Sequence, residues 1–204
     1  MKHYLKPFFI TIILLVSGVV FSQTKPAKLI LLDNSEFEGY GEIKINILTK
    51  SEKIVFRMDL EDKPDIWKSD QVKRIEFDNG IQIVAYEYVK VNKNISKLYR
   101  VIESGFMTLY AYDDIEWTNN GNTGNELNQR SQAFATKKTS YYIKRKDRDY
   151  LYHVTRNKNA WKRQLAECFN DCENVIDIVS NKNIKDYEID DLVWEFNEYC
   201  GKTN

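Results

Sequence analysis

The chain has 204 residues, and its 30 lysines and arginines balance 30 aspartates and glutamates, so the formal net charge is zero. This balance argues against a nucleic-acid-binding role, because binding along a phosphate backbone demands a basic surface. About 180 residues follow the first apolar segment, enough for one substantial hydrophobic core or two small ones packed together.

The first segment predicts export from the cell. A short basic start precedes an apolar run from Phe8 to Phe21. A bilayer-spanning helix needs roughly 20 apolar residues, so the run is too short to be a typical anchor. The small residue Ser22 completes a signal-peptidase pattern, which predicts a signal peptide over residues 1–22, cleaved after Ser22, and no stable membrane span afterwards. Cleavage removes Lys2 and Lys6 and no acidic residue, which leaves a formal charge of −2.

Residues 23–118 are predicted to form a β-rich region. Ile43 and Ile45 alternate with polar residues, and Ile54 and Phe56 repeat the pattern further along the chain. This period of two is typical of strands that have one buried face and one exposed face. The region is therefore expected to be an antiparallel sheet, either strongly curved or closed into a small barrel.

Turn residues mark two places in this region. Asn79-Gly80 lies between the alternating runs 75–77 and 81–83, which is typical of a β-hairpin. Gly39 and Gly41 flank a tyrosine and predict a bulge or a sharp bend in their strand.

The composition changes after the segment Phe106 to Tyr112. This segment is apolar or aromatic at successive positions, so it is expected to be covered on both faces. Residues 119–139 are rich in Asn, Gly, Gln, Ser and Thr, which predicts a flexible polar loop. Runs 141–143 and 150–154 then predict a second hairpin, and we interpret Lys144-Arg145-Lys146 as part of its solvated tip.

Residues 140–204 combine this hairpin with predicted helices. Apolar residues recur every three or four positions over 159–180, which indicates one amphipathic helix, although Asn170 and Asp171 can interrupt it because either can cap a new helix. A further helix is predicted over 187–199 and completes a helical hairpin. The sequence thus predicts an α+β fold that is β-rich first and helical last.

Three cysteines lie on the predicted helices, at Cys168, Cys172 and Cys200. In an oxidising compartment cysteines tend to pair, and an odd number leaves one thiol over. A straight helical hairpin, at about 1.5 Å of rise per residue, places Cys168 and Cys200 at similar distances from the turn, which favours their pairing. Pairing of Cys172 with Cys200 is also possible, whereas a bond within one helix between Cys168 and Cys172 fits poorly.

Several short segments carry a resemblance to a group of proteins. The tail contains Asp171-Cys172 and ends in Phe196-Asn197-Glu198-Tyr199-Cys200. It resembles the end of many uncharacterised secreted proteins of Bacteroidetes-type bacteria, in which Asp-Cys-Pro, a helix and a closing Tyr-Asn-x-Cys recur. Phe21-Ser22-Gln23 and Glu103-Ser104-Gly105 fit the same group.

The resemblance implies a disulfide and no activity. Glu173 stands where those proteins have proline, and Phe196 stands where they have tyrosine. What the resemblance implies is a bridge between Cys172 and Cys200, with Cys168 as a buried spare thiol. A bridge that closes a loop of this length contributes roughly 3–4 kcal/mol in the chain-entropy model.

Candidate catalytic residues are few. A Ser-His-Asp or Cys-His site has to use His153, whose place between Tyr152 and Val154 is typical of an ordinary strand residue. Asp114 and Glu116 would share one face of a strand, close enough to raise each other's pKa, as in a carboxylate hydrolase. The sequence has no phosphate-binding loop and no spacing typical of a zinc or calcium site, so no cofactor or metal is predicted.

These patterns favour an exported protein without catalytic activity. We expect an envelope or periplasmic interaction module that binds an unknown protein or glycan of the cell envelope. Its 13 tyrosines suit such a surface, because each ring supplies contact area together with a hydroxyl group. One alternative is a small exported hydrolase that uses Asp114 and Glu116, and another is an envelope protein tethered by an uncleaved first segment.

Overall fold

The computed structural model describes residues 24–46, 49, 51–92, 94–119, 133–155, 158–180 and 188–201. The expected signal peptide lies outside these residues, and its cleavage stays a prediction. Among the described helices, none has both the length and the apolar character needed to cross a bilayer.

The described residues form ten strands and three helices. The strands are β1 (Lys25–Leu31), β2 (Glu36–Asn46), β3 (Ser51–Arg57), β4 (Asp65–Trp67), β5 (Val72–Asp78), β6 (Ile83–Asn92), β7 (Ile95–Glu103), β8 (Met107–Asn119), β9 (Ala133–Arg145) and β10 (Leu151–Val154). The helices are α1 (Lys158–Cys168), α2 (Glu173–Ser180) and α3 (Ile189–Tyr199). All ten strands belong to one sheet in the order β10-β9-β8-β7-β6-β5-β1-β2-β3-β4. The predicted α+β class is therefore confirmed.

The N-terminal half of the sheet curls around a core of its own. Apolar side chains of β1, β3, β5 and β7 meet there, and the buried members are Ala27, Leu29, Ile54, Phe56, Val72, Ile75, Phe77 and Leu98. The curl brings β3 close to β7, where the carboxylate of Glu52 accepts the backbone N–H of Leu98 at 2.6 Å. This contact is made by a side chain and not by backbone pairing between β3 and β7. The sheet is therefore strongly curved but open, and the closed barrel is not formed.

Gly39 and Gly41 permit close packing inside this curl. The pairing register of β2 runs unbroken through both glycines towards β1, and through Gly41 towards β3. A Cβ atom on Gly39 would lie 2.3 Å from the carbonyl oxygen of Arg57, and one on Gly41 would lie 2.8 Å from Cδ1 of Ile75. The predicted bulge is therefore wrong, since these positions lack side chains to let neighbouring groups approach.

The hairpin predicted at Asn79-Gly80 joins β5 to β6. Oδ1 of Asn79 accepts the backbone N–H groups of Ile81 at 3.0 Å and Gln82 at 2.8 Å, while Gly80 takes the left-handed conformation with φ of 80°. Ile81 is 94% exposed and belongs to the turn, so β6 begins at Ile83 and not at Ile81.

The C-terminal half of the sheet is covered on both faces, as predicted for the segment 106–112. On one face the helices pack on β8 and β9 through a buried core of Met107, Leu109, Ile143, Leu165, Cys168, Phe169, Cys172, Val175, Val179, Ile189, Leu192, Val193 and Phe196. The opposite face carries a smaller cluster of Val89, Tyr99, Tyr110 and Tyr112. Side chains of this part of the sheet are thus buried on both of its faces.

Two predicted boundaries differ from the structure. The helix expected over 159–180 is interrupted where Asn170 and Asp171 allow it, so α1 ends at Cys168 and α2 begins at Glu173. Residues 119 and 133–139 of the expected loop 119–139 are strand residues instead, because β9 begins at Ala133 and pairs along β8 as far as Asn119. Strand pairing along a neighbour outweighs the polar composition of residues 133–139.

Candidate functional site

A disulfide joins the beginning of α2 to the end of α3. Sγ of Cys172 lies 2.00 Å from Sγ of Cys200, and the two Cα atoms are 5.6 Å apart. This is the pair that the resemblance implies, and not the Cys168–Cys200 pair that a straight hairpin favours. The straight-hairpin estimate is wrong because the chain turns after Cys168 and carries Cys172 out of α1.

Cys168 remains a free, buried thiol. Burial raises its pKa to about 12, so at neutral pH it is almost entirely protonated. A thiol in this state is a poor nucleophile, because the thiolate is the reactive form. Cys168 is therefore a packing residue of the helical core.

Arg145 is buried beneath the helices, contrary to the solvated hairpin tip that we predicted for residues 144–146. Its Nε donates to Asp147 at 2.9 Å, and its Nη1 donates to the carbonyl oxygen of Cys168 at 2.9 Å and to Asp171 at 2.6 Å. Its Nη2 donates to Asp147 and Asp171 as well. An arginine has five N–H donors, so this guanidinium is fully bonded.

The position of Arg145 follows from strand alternation. It pairs with Met107 in the neighbouring strand and shares a face with Ile143, both of which lie in the helical core. Its guanidinium lies 5.1 Å from the ring centroid of Phe196. The alternation of Ile143 with Arg145 is the sequence signal that could have located this residue, although its partner Asp171 is distant in sequence.

Asn197 ties α3 to the first residue of β8. The backbone N–H of Met107 donates to Oδ1 of Asn197 at 2.8 Å, and Nδ2 of Asn197 donates to the carbonyl oxygen of Met107 at 2.8 Å. A Cβ atom on Gly105 would lie 2.3 Å from the Asn197 side chain. Residues that carry the resemblance therefore meet here, and their contacts are those of a structural joint.

A pocket of about 430 Å³ lies on the face of the sheet that the curl encloses. We call it the concave pocket. Its apolar wall consists of Ile43, Ile45, Leu98 and Ala111. Its polar lining consists of Glu52, Tyr86, Arg100, Asp113, Thr136 and Lys137. On β8 the next residue of the same face, Leu109, already lies under the helices, so the pocket is bounded by the helical core on that side.

Asp113 is held as a carboxylate in this pocket. It accepts the hydroxyl of Thr139 at 2.6 Å, forms an ion pair with Nζ of Lys137 at 2.9 Å, and lies 3.9 Å from Nε of Arg100. Burial by itself would raise the pKa of Asp113, but the hydrogen bonds from Thr139 and Lys137 outweigh it and hold the pKa below its ordinary value. The negative charge of Asp113 is thus balanced by nearby cations inside the pocket.

Glu52 is the other carboxyl group of the pocket, and its pKa is shifted in the opposite direction. Burial raises its pKa above the ordinary value of a glutamate, the N–H of Leu98 offsets part of that rise, and the charge of Asp114 adds to it. The two carboxyl groups of the concave pocket therefore differ in pKa. Such a difference separates a proton donor from a carboxylate in many hydrolases.

The tyrosines of the opposite face pack against one another. The ring of Tyr99 lies 5.2 Å from that of Tyr142 and 5.3 Å from that of Tyr112, measured between centroids. Burial, together with the nearby charge of Glu52, raises the pKa of Tyr112 to about 12. These residues stabilise the sheet, and the exposed tyrosine surface that composition allowed is not formed by them.

The predicted catalytic residues lie on two strands, Asp114 and Glu116 on β8 and His153 on β10. Asp114 is half-buried near Glu52, on the face of β8 opposite to Asp113. The backbone of Glu116 pairs with Thr136, and its side chain lies outside the described part of the chain. His153 lies exposed on the edge strand β10, with its ring 5.0 Å from that of Tyr142. Sequence reasoning missed Glu52 and Asp113, which only the curl brings together.

The described part of the chain contains no group of three or more His, Cys, Asp or Glu side chains that could hold a metal ion. The fold is an open, curled antiparallel sheet with disulfide-linked helices on its C-terminal half and a mixed polar and apolar pocket on its concave face. Comparisons with family models, with curated proteins and with solved structures found no match.

Proposed function

We propose that this protein is an exported, non-catalytic interaction module of the bacterial cell envelope and that the concave pocket is its binding site. The observation that carries this proposal is the pocket itself. Its apolar wall and its few charged side chains are the combination typical of ligand sites, in which apolar contacts supply affinity and polar groups supply orientation.

The surrounding contacts support a preformed site. The pocket is lined by side chains of six strands, and strands position side chains more precisely than loops do. On one side of the pocket, the hydrogen bond from the backbone N–H of Leu98 to the carboxylate of Glu52, 2.6 Å long, holds the curl together. On the other side Asn197 holds α3 on β8, and the disulfide joins α3 to α2. Little rearrangement is needed for binding, which favours affinity.

The compartment in this proposal is the periplasm or the extracellular space. The apolar segment 1–22 supports export, with cleavage after Ser22. The Cys172–Cys200 disulfide agrees with it, because disulfides persist in oxidising compartments. The partner is then a protein or a glycan of the envelope.

A matched pair of variants tests the binding site. Ile45 lines the pocket and is 48% exposed, while Ile95 is 49% exposed and lies outside the pocket. We expect Ile45→Glu to lose most of the material that the wild-type protein retains from an envelope extract, because the new charge lies in the apolar wall. Ile95→Glu should retain it, and both variants should unfold at similar temperatures. Equal retention by the two variants would contradict the proposal.

A second candidate is a small exported hydrolase, favoured by the raised pKa of Glu52. In this hypothesis Glu52 donates a proton and Asp114 is the carboxylate beside it, with Glu116 further along the same strand. A panel of nitrophenyl glycosides and esters tests it. Activity that disappears in Glu52→Gln and Asp114→Asn, but persists in Glu61→Gln on an exposed loop, supports the hydrolase. A wild-type protein without activity on the panel contradicts it.

A further inference from the structure

Arg100 is the residue that defines what the concave pocket can bind. It shares the concave face with Tyr86 and Ala111, to which it is paired in the neighbouring strands. Its only ion pair among the described residues joins its Nε to Asp113 at 3.9 Å, beyond hydrogen-bond range. Its Nη atoms donate no hydrogen bond to any residue in the described part of the chain.

The neighbouring carboxylates leave Arg100 available. Asp113 is already bound by Lys137 at 2.9 Å and by Thr139 at 2.6 Å. Glu52 accepts the N–H of Leu98 at 2.6 Å, and no ion pair joins it to Arg100 in the described residues. In Arg145, by contrast, all the N–H donors of the guanidinium are hydrogen-bonded. A guanidinium with a vacant fork of donors binds a planar or tetrahedral anion in a bidentate manner.

Most of the exposed surface of the pocket is apolar. Ile43, Ile45, Leu98 and Ala111 form one continuous lining beside the ring of Tyr86. A volume of about 430 Å³ is in the range of sites that hold small organic molecules. A small inorganic anion would leave this apolar surface uncovered, so the ligand needs an apolar body in addition to its charged group.

We propose that the concave pocket binds an amphipathic anion, with its carboxylate, sulfonate or phosphate on Arg100 and its apolar body against Ile43, Ile45 and Leu98. This inference rests on the proposed function of the same pocket and names the chemical class of its ligand. A lipid-derived acid and an aromatic acid share this chemistry, whether the group is free or carried by an envelope protein or glycan.

Two related dyes serve as probes. Anilinonaphthalene sulfonate carries an anionic group on an aromatic body, and N-phenylnaphthylamine has a similar body without the charge. Fluorescence titrations of the wild-type protein should show saturable binding of both dyes. Ile45→Glu should abolish binding of both dyes, and Ile95→Glu should preserve it, which locates the dyes in the concave pocket.

The charged group is tested by substitution of Arg100. Arg100→Gln should weaken binding of the sulfonate dye by about tenfold or more and leave the uncharged dye unaffected, because one charge-assisted bidentate contact is lost. Arg100→Lys should lie between the two. Arg74→Gln is the matched control, since Arg74 has a similar side-chain exposure, 24% against 31%, and pairs with Glu87 on the opposite face.

The outcomes separate the two proposals. If Arg100→Gln and Arg100→Lys bind the sulfonate dye as the wild-type protein does, the anion assignment is overturned while the proposed binding site stands. If both dyes bind equally to Ile45→Glu and to the wild-type protein, the dyes lie elsewhere and this inference is overturned. If Ile45→Glu also retains envelope material as the wild-type protein does, the proposed function fails independently.

Discussion

Arg145 and Arg100 lie on the same face of one sheet, yet their guanidinium groups have opposite surroundings. Arg145 is buried with a side-chain exposure of 2% and binds two aspartates and a carbonyl group, whereas Arg100 has vacant donors beside a pocket. A fully bonded arginine fixes structure, and one with vacant donors can accept a ligand. The same residue type therefore has a structural role under the helices and a proposed binding role in the concave pocket.

The first prediction concerns the stability supplied by Arg145. We expect Arg145→Met to lower the free energy of unfolding by about 3 kcal/mol, because the carbonyl of Cys168 loses its partner in the core and the aspartates lose their cation. Removal of one partner of a buried ion pair costs about 3–5 kcal/mol. Both aspartates are about half exposed and can be hydrated, which keeps the loss near the lower end of that range. Urea denaturation measures it, with exposed Lys146→Met as the control. Equal losses in the two variants would contradict the assignment.

The second prediction concerns the acid limb of stability. The hydrogen bonds from Arg145 hold the pKa values of Asp147 and Asp171 below their ordinary range. Carboxyl groups with a lowered folded-state pKa contribute stability above the unfolded value of about 3.9, and this contribution is lost as the pH falls through the folded-state values. The wild-type protein should therefore lose stability below about pH 4 more steeply than Arg145→Met does. Parallel acid titrations monitored by circular dichroism measure the two slopes. Equal slopes in the wild-type protein and Arg145→Met would refute this prediction.

The third prediction concerns Glu52, whose pKa is raised mainly by burial. A group with a raised folded-state pKa favours folding while it is protonated, and that contribution is lost as the pH rises through the folded-state value. Glu52→Gln keeps an acceptor for Leu98 without the charge. It should be more stable than the wild-type protein near neutral pH and equal to it below about pH 4. Thermal unfolding at both pH values measures the difference, with Glu61→Gln as the control.

At the scale of elements, the helical region depends on links between segments that are short on their own. The helix α2 has only eight residues, and isolated helices of that length are marginal in water. Tertiary packing and the disulfide therefore have to hold it. Cys172 and Cys200 are separated by 28 positions, so their bond closes a large loop in the unfolded chain and lowers its conformational entropy.

The fourth prediction concerns this disulfide. Replacement of Cys172 and Cys200 by serine should lower the free energy of unfolding by about 3–4 kcal/mol. Cys168→Ala should cost less, about 1 kcal/mol, because it removes one buried thiol and no cross-link. Urea denaturation of both variants without reductant makes the comparison. A larger loss in Cys168→Ala than in the double variant would contradict the role assigned to the bond.

At the scale of the whole molecule, local patterns in the sequence predicted the elements, and long-range contacts determined the site. Period-two alternation located the strands around Ile43 and Ile54, and Asn79-Gly80 located a hairpin, because these signals depend on neighbouring residues. The contact of Glu52 with Leu98 joins residues 46 positions apart, and no local pattern contains it. The concave pocket results from that approach and was therefore not predicted.

The disulfide also shows that local sequence patterns do not determine long-range contacts. Helix periodicity placed all three cysteines near one interface, but the choice between Cys168 and Cys172 depended on where the chain turns. The turn after Cys168 moves that residue under Arg145 and aligns Cys172 with Cys200. A straight-helix estimate could not contain this turn, whereas the resemblance of the tail implied the observed pair.

Export is the claim on which the compartment, the disulfide and the envelope partner all depend. The most direct measurement is the intact mass of the protein from each cell fraction of its native host, after alkylation under denaturing conditions without reductant. We predict a chain from the envelope or the medium that begins at Gln23, with one alkylated cysteine and an unreduced bond between Cys172 and Cys200. A cytosolic chain that begins at Met1 and carries three alkylated cysteines would contradict the account.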